Sequence, residues 1–133
     1  MVIKMREVYT YFDGKTCPVD EFIKQTDSRI KRKLDFCIEY IRNESNCFSV
    51  PYIKHFSIAK YSMFYEFRVK AAGKMVRIIF YEKDKKIYLL YAFYKRDRKD
   101  TERALNASLK LLNSIIENGE IKNEFRKGID RSD

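Results

Sequence analysis

Apolar residues recur along this chain in two periods. Between residues 27 and 43 they fall at Ile30, Leu34, Cys37 or Ile38, and Ile41, the three-and-four spacing of a helix with one buried side. Arg29, Lys31, Arg32, Lys33, Asp35, Glu39 and Arg42 take the other side. Asp27 or Ser28 can cap this helix. Pro18, followed by Asp20 and Glu21, opens a shorter helix before it, with Phe22 and Ile23 as its apolar side. Cys37 reads as a helix-core residue, because free cysteine behaves as a small hydrophobe.

Elsewhere the period is two. Glu7 to Phe12 is a β-rich segment ending at the Asp13-Gly14 turn signal. Pro51 opens a linker running through His55 and Ser57. Met63 to Lys70 then alternates, with Tyr65, Phe67 and Val69 on one side and Phe64, Glu66, Arg68 and Lys70 on the other. Lys74 to Tyr81 sets Val76, Ile78 and Phe80 against Arg77, Ile79 and Tyr81. Ile87 to Lys95 is the most apolar segment and reads as a central strand. Ala71-Ala72-Gly73 and the polar run Glu82 to Lys86 are short enough to make the three strands an antiparallel meander.

A last helix is expected from Asp100 or Thr101 to about Asn118, with Ala104, Leu105, Ser108, Leu111, Leu112, Ile115 and Ile116 as its stripe. The predicted order is β-α-α-β-β-β-α, an α+β fold with its helices packed on one face of the sheet. Residues 1–118 form the domain and residues 119–133 a polar tail.

Composition narrows the function. The chain has 133 residues, 28 Lys or Arg and 19 Asp or Glu, for a net charge of +9. The longest apolar run falls far short of the ~20 residues that span a bilayer. The N-terminus has no apolar run of a signal peptide. Three widely spaced cysteines without a C-x-x-C, and a single histidine, predict no disulfide framework and no metal site. Neither a G-x-G-x-x-G nor a P-loop occurs, so no cofactor is expected. The expected location is the cytoplasm.

The position of the charge is more informative than its size. Residues 54–99 hold thirteen Lys or Arg against four acids, an excess equal to the whole net charge. The cations include Lys54, Lys70, Lys74, Arg98 and Lys99, a surface suited to RNA phosphates. Tyr81, Tyr88, Tyr91 and Tyr94 are interleaved with them and offer rings for unpaired bases. Lys83, Lys85 and Lys86 read as solvated loop lysines. Arg68 and Arg77 lie mid-strand on one sheet face, opposite the Val/Ile/Phe side. Their guanidinium forks match phosphate geometry. They also match salt bridges to Glu66 on the same face.

Tyr65-Glu66-Phe67-Arg68, then Gly73, then Val76-Arg77-Ile78-Ile79-Phe80-Tyr81, then Leu89-Leu90-Tyr91-Ala92-Phe93-Tyr94-Lys95-Arg96, resembles HigB-type toxins of the RelE/ParE superfamily of type II toxin–antitoxin modules. Their pattern is roughly Y-E-L-R, a Gly turn, Y-R-[IV]-[LIV]-[YF]-[YF], then L-L-H-[GA]-F-x-K-[KR]. The resemblance covers about residues 6 to 116. It implies a RelE-like fold and a metal-independent endoribonuclease that cleaves mRNA on the translating ribosome. It also implies a cognate antitoxin, often a helix-turn-helix protein of HigA type. Tyr91 stands where relatives often carry His, and Lys95 to Thr101 lacks the usual Pro.

Cleavage through the neighbouring 2′-hydroxyl needs a base, an acid, and cations for the pentavalent phosphate. Arg68 and Arg77, with Lys95 and Arg96, are the expected clamp. Tyr91 or Tyr94 is the stacking group or proton donor, and Glu66 or His55 the candidate base. Two other readings fit the same residues: a ParE-like toxin acting on DNA gyrase, and a non-enzymatic RNA- or protein-binding domain.

Overall fold

A computed structural model describes residues 4–117, 120–121 and 125–127. The chain opens with β1 (Glu7–Tyr11), followed by α1 (Pro18–Gln25) and α2 (Ser28–Arg42). Pro18 sits in the first turn of α1 with Asp20 and Glu21. Asp27 caps α2, its Oδ1 accepting the Arg29 amide at 2.8 Å. Then come β2 (Ile53–His55), a 3₁₀ turn (Ala59–Tyr61), β3 (Phe64–Ala71), β4 (Lys74–Lys83), β5 (Lys86–Tyr94) and α3 (Arg98–Ile115). Three short strands close the described chain: β6 (Ile116–Glu117), β7 (Glu120–Ile121) and β8 (Phe125–Lys127). No helix among the described residues is long and apolar enough to cross a membrane.

The result is an α+β fold on a five-strand sheet of order β2-β3-β4-β5-β1, with β8 added outside β1. β3, β4 and β5 form the expected antiparallel meander. Both of its turns are two residues long with positive φ at each: Ala72 and Gly73 in the first, Asp84 and Lys85 in the second. This is the turn type whose twist matches that of the flanking strands. β1 lies parallel to β5, with Glu7 opposite Lys86 and Thr10 opposite Leu89. The segment expected as a linker after Pro51 instead forms β2, pairing Ile53, Lys54 and His55 with Phe67, Glu66 and Tyr65. Three residues, two of them polar, are too few to show a period in the sequence.

The helices do not share one sheet face. α1 and α2 bury Val19, Ile23, Ile30, Leu34, Ile38 and Ile41 against Phe67, Val69, Val76, Ile78, Phe80 and Leu89. α3 packs on the opposite face, where Ala104, Leu105 and Leu112 meet Phe64, Ile79, Tyr88 and Leu90. The reason is the composition of β5: it is apolar on both sides, and each side needs a cover. Cys37 lies in the first of these cores as expected, and burial pushes its thiol up to about 12.

α3 begins at Arg98, slightly ahead of the expected start, because two aspartates satisfy its first amides reciprocally. Asp97 Oδ1 accepts the Lys99 and Asp100 amides at 2.9 and 3.2 Å, and Asp100 Oδ2 accepts that of Asp97 at 3.2 Å. This is a capping box built from two carboxylates. Most of the expected 119–133 tail lies outside the described residues.

One side chain ties the N-terminal strand to the rest. The Arg6 guanidinium donates to the carbonyls of Ile41, Asn43, Glu44 and Asn46 at 3.0 to 3.2 Å. It also pairs with Glu82 of β4 at 3.2 Å and lies over the Phe48 ring. These carbonyls lie at and beyond the end of α2, where the helix no longer supplies its own donors. Arg6→Ala is expected to lower unfolding free energy by about 3 kcal/mol, the scale of losing several charge-assisted hydrogen bonds at a part-buried site. Urea unfolding followed by circular dichroism measures it, and a loss below ~1 kcal/mol rules out this role.

Candidate active site

The registers of β2 to β5 assemble a charged surface from four strands. Lys54 pairs with Glu66, Glu66 with Ile79, and Ile79 with Tyr91. Side chains directly opposite each other share a face, so these four form one row. The next row on that face is Arg68, Arg77 and Phe93. A third holds Lys70 opposite Met75, with the Lys95 amide donating to the Met75 carbonyl at 2.8 Å. This is the α3 face. The helix covers the apolar part of it, through Phe64, Ile79 and Tyr88, and the charged side chains lie beside that core.

Glu66 is at the centre and only 1% exposed. Its Oε1 lies 3.5 Å from Arg68 Nε and 3.6 Å from Arg77 Nε. Its Oε2 is buried and accepts no hydrogen bond from the described residues. Burial pushes the carboxyl above its ordinary range, against the pull of Arg77, Arg68, Lys95 and Lys54. Burial likewise lowers Arg77, with Glu66 pulling the other way. Both partners thus move toward neutrality, so desolvation outweighs their mutual attraction. A carboxyl raised by burial, with one oxygen unpaired among the described residues, is a candidate general base. Four cations against one acid give this cluster a strong pull on phosphate.

The two arginines are not equivalent. Arg68 is a rim residue, its side chain 39% exposed. Arg77 was expected on an open face but is buried, and its Nη1 donates to the Val76 carbonyl at 3.2 Å. It lies mid-sheet between Arg68 of β3 and Phe93 of β5, against the buried Glu66. Arg77 therefore holds Glu66 from below, and Arg68, Lys54 and Lys95 stand around it.

A β-bulge decides between the two tyrosines. The β4–β5 register shifts between Ile79 and Phe80, so that Phe80 faces Leu89 while Ile79 faces Tyr91. One extra residue swaps the faces of everything beyond it. Tyr91 and Phe93 consequently join the charged rows, and Tyr91 is exposed. Tyr94 faces the other way, packing on Phe22 of α1 with Lys74 Nζ 5.2 Å above its ring. Tyr94 and Lys74 are thus absent from the cluster.

Other expected residues are dispersed. His55 pairs with Tyr65, on the opposite face from Glu66; its ring stacks on that tyrosine and its Nε2 lies 2.6 Å from the Ser62 carbonyl. Arg96 is committed to Asp100, which its amide and guanidinium both contact, at 2.8 and 3.3 Å. Those contacts hold the Asp100 carboxyl down to about 2. Arg98 and Lys99 are exposed in the first turn of α3. Phe93 was missed by sequence reasoning, since its face depends on the bulge.

Residues 21–112 match the family model described as Phage derived protein Gp49-like (DUF891). The chain belongs to that family. It is a RelE-like family of the toxin–antitoxin superfamily, which implies an antitoxin partner. The Gp49-like match contains every residue of the three charged rows. No curated protein matches the chain, and no solved structure does.

The raised Glu66 carboxyl has a consequence for stability. A group whose folded value lies above its unfolded one adds stability below the unfolded value and loses it as pH rises through the folded one. Between pH 4 and 7 the urea midpoint of Glu66→Gln is expected to rise relative to wild type. A relative fall would mean that the arginines, not burial, control this carboxyl.

Proposed function

We propose that this protein is the toxin of a type II toxin–antitoxin pair, of HigB type, and cleaves mRNA on the translating ribosome without a metal. The observation that carries the reading is Glu66: a buried carboxylate, one oxygen of it unpaired among the described residues, set among Arg68, Arg77, Lys54 and Lys95. Membership of the Gp49-like family supports it.

In this mechanism the Glu66 carboxylate, buried in the free protein, becomes the base for a ribose 2′-hydroxyl when the half-exposed Arg68 beside it turns to the phosphate. The 2′-oxygen attacks the adjacent phosphorus, and the bond from phosphorus to the 5′-oxygen breaks. The products are a 2′,3′-cyclic phosphate and a 5′-hydroxyl. Arg68, Lys54 and Lys95 stabilise the charge on the phosphate oxygens. Arg77 keeps Glu66 in place and remains protonated. The Tyr91 phenol gives its proton to the leaving oxygen, and the Tyr91 and Phe93 rings provide stacking surface for splayed bases. The ribosome supplies the alignment of the mRNA. A cytoplasmic location and an antitoxin of helix-turn-helix type belong to the same reading.

The test uses purified protein, translating ribosomes and primer extension across the message. Wild type is expected to give mapped breaks. Glu66→Gln and Arg68→Ala are expected to lower the cleavage rate by about 10²-fold or more, the usual cost of losing a base or a charge clamp. Folded Glu66→Gln protein cleaving at the wild-type rate would reject the mechanism. DNA damage on expression without mRNA breaks would point to the gyrase-directed alternative.

A further inference from the structure

A second feature lies between α2 and the last half of β3. It is a groove of about 740 Å³, and of the eleven described residues that line it five are Lys or Arg and none is acidic. Its floor is aromatic. Phe36 of α2 is 61% exposed, and its ring meets that of Tyr52 edge-on at 5.8 Å. Tyr40, one helical turn further on, meets the same Tyr52 ring edge-on at 5.5 Å, so two helix residues hold it. Arg32 and Lys33 line the groove from α2, and Arg68 and Lys70 line it from β3. Lys33 Nζ donates to the Lys70 carbonyl at 2.8 Å, which ties helix to strand and closes the strand edge there. Arg29, also in the lining, is engaged by Asp27 at 3.2 Å.

Cations around exposed rings suit a single-stranded nucleic acid: the rings stack on bases and the cations follow the backbone. The groove is also continuous with the charged rows. Arg68 lines it, and the same side chain lies 3.5 Å from Glu66 Oε1. Lys70 follows two residues later on the same face, about 7 Å along the strand. A line of cations therefore runs from the Glu66 cluster along β3 to α2.

We propose that this groove seats the message on one side of the scissile phosphate. The RNA backbone passes Arg68 and Lys70 into the groove, a base lies on the Phe36 ring, and a further phosphate meets Arg32. The proposal rests on the ribonuclease reading, and it extends the protein's grip on RNA beyond the cluster that performs the cleavage.

The experiment is fluorescence anisotropy on the full chain with labelled oligo(U) of four and twelve nucleotides, 2′-O-methylated throughout so that neither is cleaved. Wild type is expected to bind the twelve-mer at least tenfold more tightly than the four-mer. Phe36→Ala is expected to weaken twelve-mer binding at least fivefold, the lower end of what one stacked base contributes. Arg32→Ala is expected to flatten the slope of log affinity against log salt by about 0.7, one phosphate's share on a single strand. Both variants are expected to leave four-mer binding unchanged.

Twelve-mer binding that ignores both substitutions would overturn the proposal. So would loss of ribosome co-sedimentation by Phe36→Ala with its twelve-mer affinity intact, which would assign the groove to ribosomal RNA. A ten-residue Val/Glu peptide that displaces the twelve-mer from wild type, and binds Phe36→Ala less well, would assign it to a protein partner and overturn the proposal too. Primer extension across a translated message tests the reading beneath. Groove-dependent twelve-mer binding by a protein that cuts no message retains the RNA site and removes the catalysis. Message breaks from a protein whose twelve-mer affinity ignores Phe36 and Arg32 do the reverse.

Discussion

The structure turns on a carboxylate buried where a carboxylate is expensive. Glu66 sits in the middle of a sheet, beside a core, with water excluded. Removing an ion from water costs several kcal/mol even after relaxation. That cost is offset only if cations stand in register around it, and three neighbouring positions supply them. Lys54 is opposite on β2, Arg68 is two residues on along β3, and Arg77 lies diagonally on β4. The pairing of β2, β3 and β4 is therefore tied to this charge as well as to the hydrophobic faces. A one-residue slip of β3 would send Glu66 into the other core and leave Arg77 alone.

The two faces divide the work. The α1 and α2 side is an ordinary apolar interface, and it makes the sheet rigid. The α3 side is apolar only in part, so the helix covers half of the face and leaves the other half as a shelf of charge. Rigid backing behind a charged shelf suits a site that must hold its groups before a substrate arrives. Glu66 and Arg77 are buried in this shelf, while Arg68, Lys54 and Tyr91 are exposed on it.

Much of this was legible in the sequence. The helical period of residues 27–43, the turn at Gly73 and the alternation in β3 and β4 specify the elements directly. So does the confinement of the excess charge to residues 54–99. Glu66, Arg68 and Arg77 could be picked out because mid-strand charges are conspicuous. What escaped depends on distance along the chain. No local pattern tells that α3 crosses to the far face, although the apolar residues on both sides of β5 required a cover there. No pattern marks the bulge at Ile79/Phe80, which is why Tyr91 and Tyr94 were indistinguishable and Phe93 went unnoticed. The burial of Arg77 follows from its neighbours Glu66 and Phe93 on adjacent strands, and Phe93 reaches that face only through the bulge.

The parallel pairing of β1 with β5 bears on how the protein is made. Glu7 leaves the ribosome early, but its partner Lys86 is synthesised some eighty residues later. At ~5–20 residues per second the first strand waits several seconds for its neighbour. Loop closure over that span is also slow, as in other folds dominated by distant contacts. The sheet that carries Glu66 cannot close until nearly all of the domain has left the exit tunnel. The β1–β5 pairing is therefore among the last contacts of the described sheet to form.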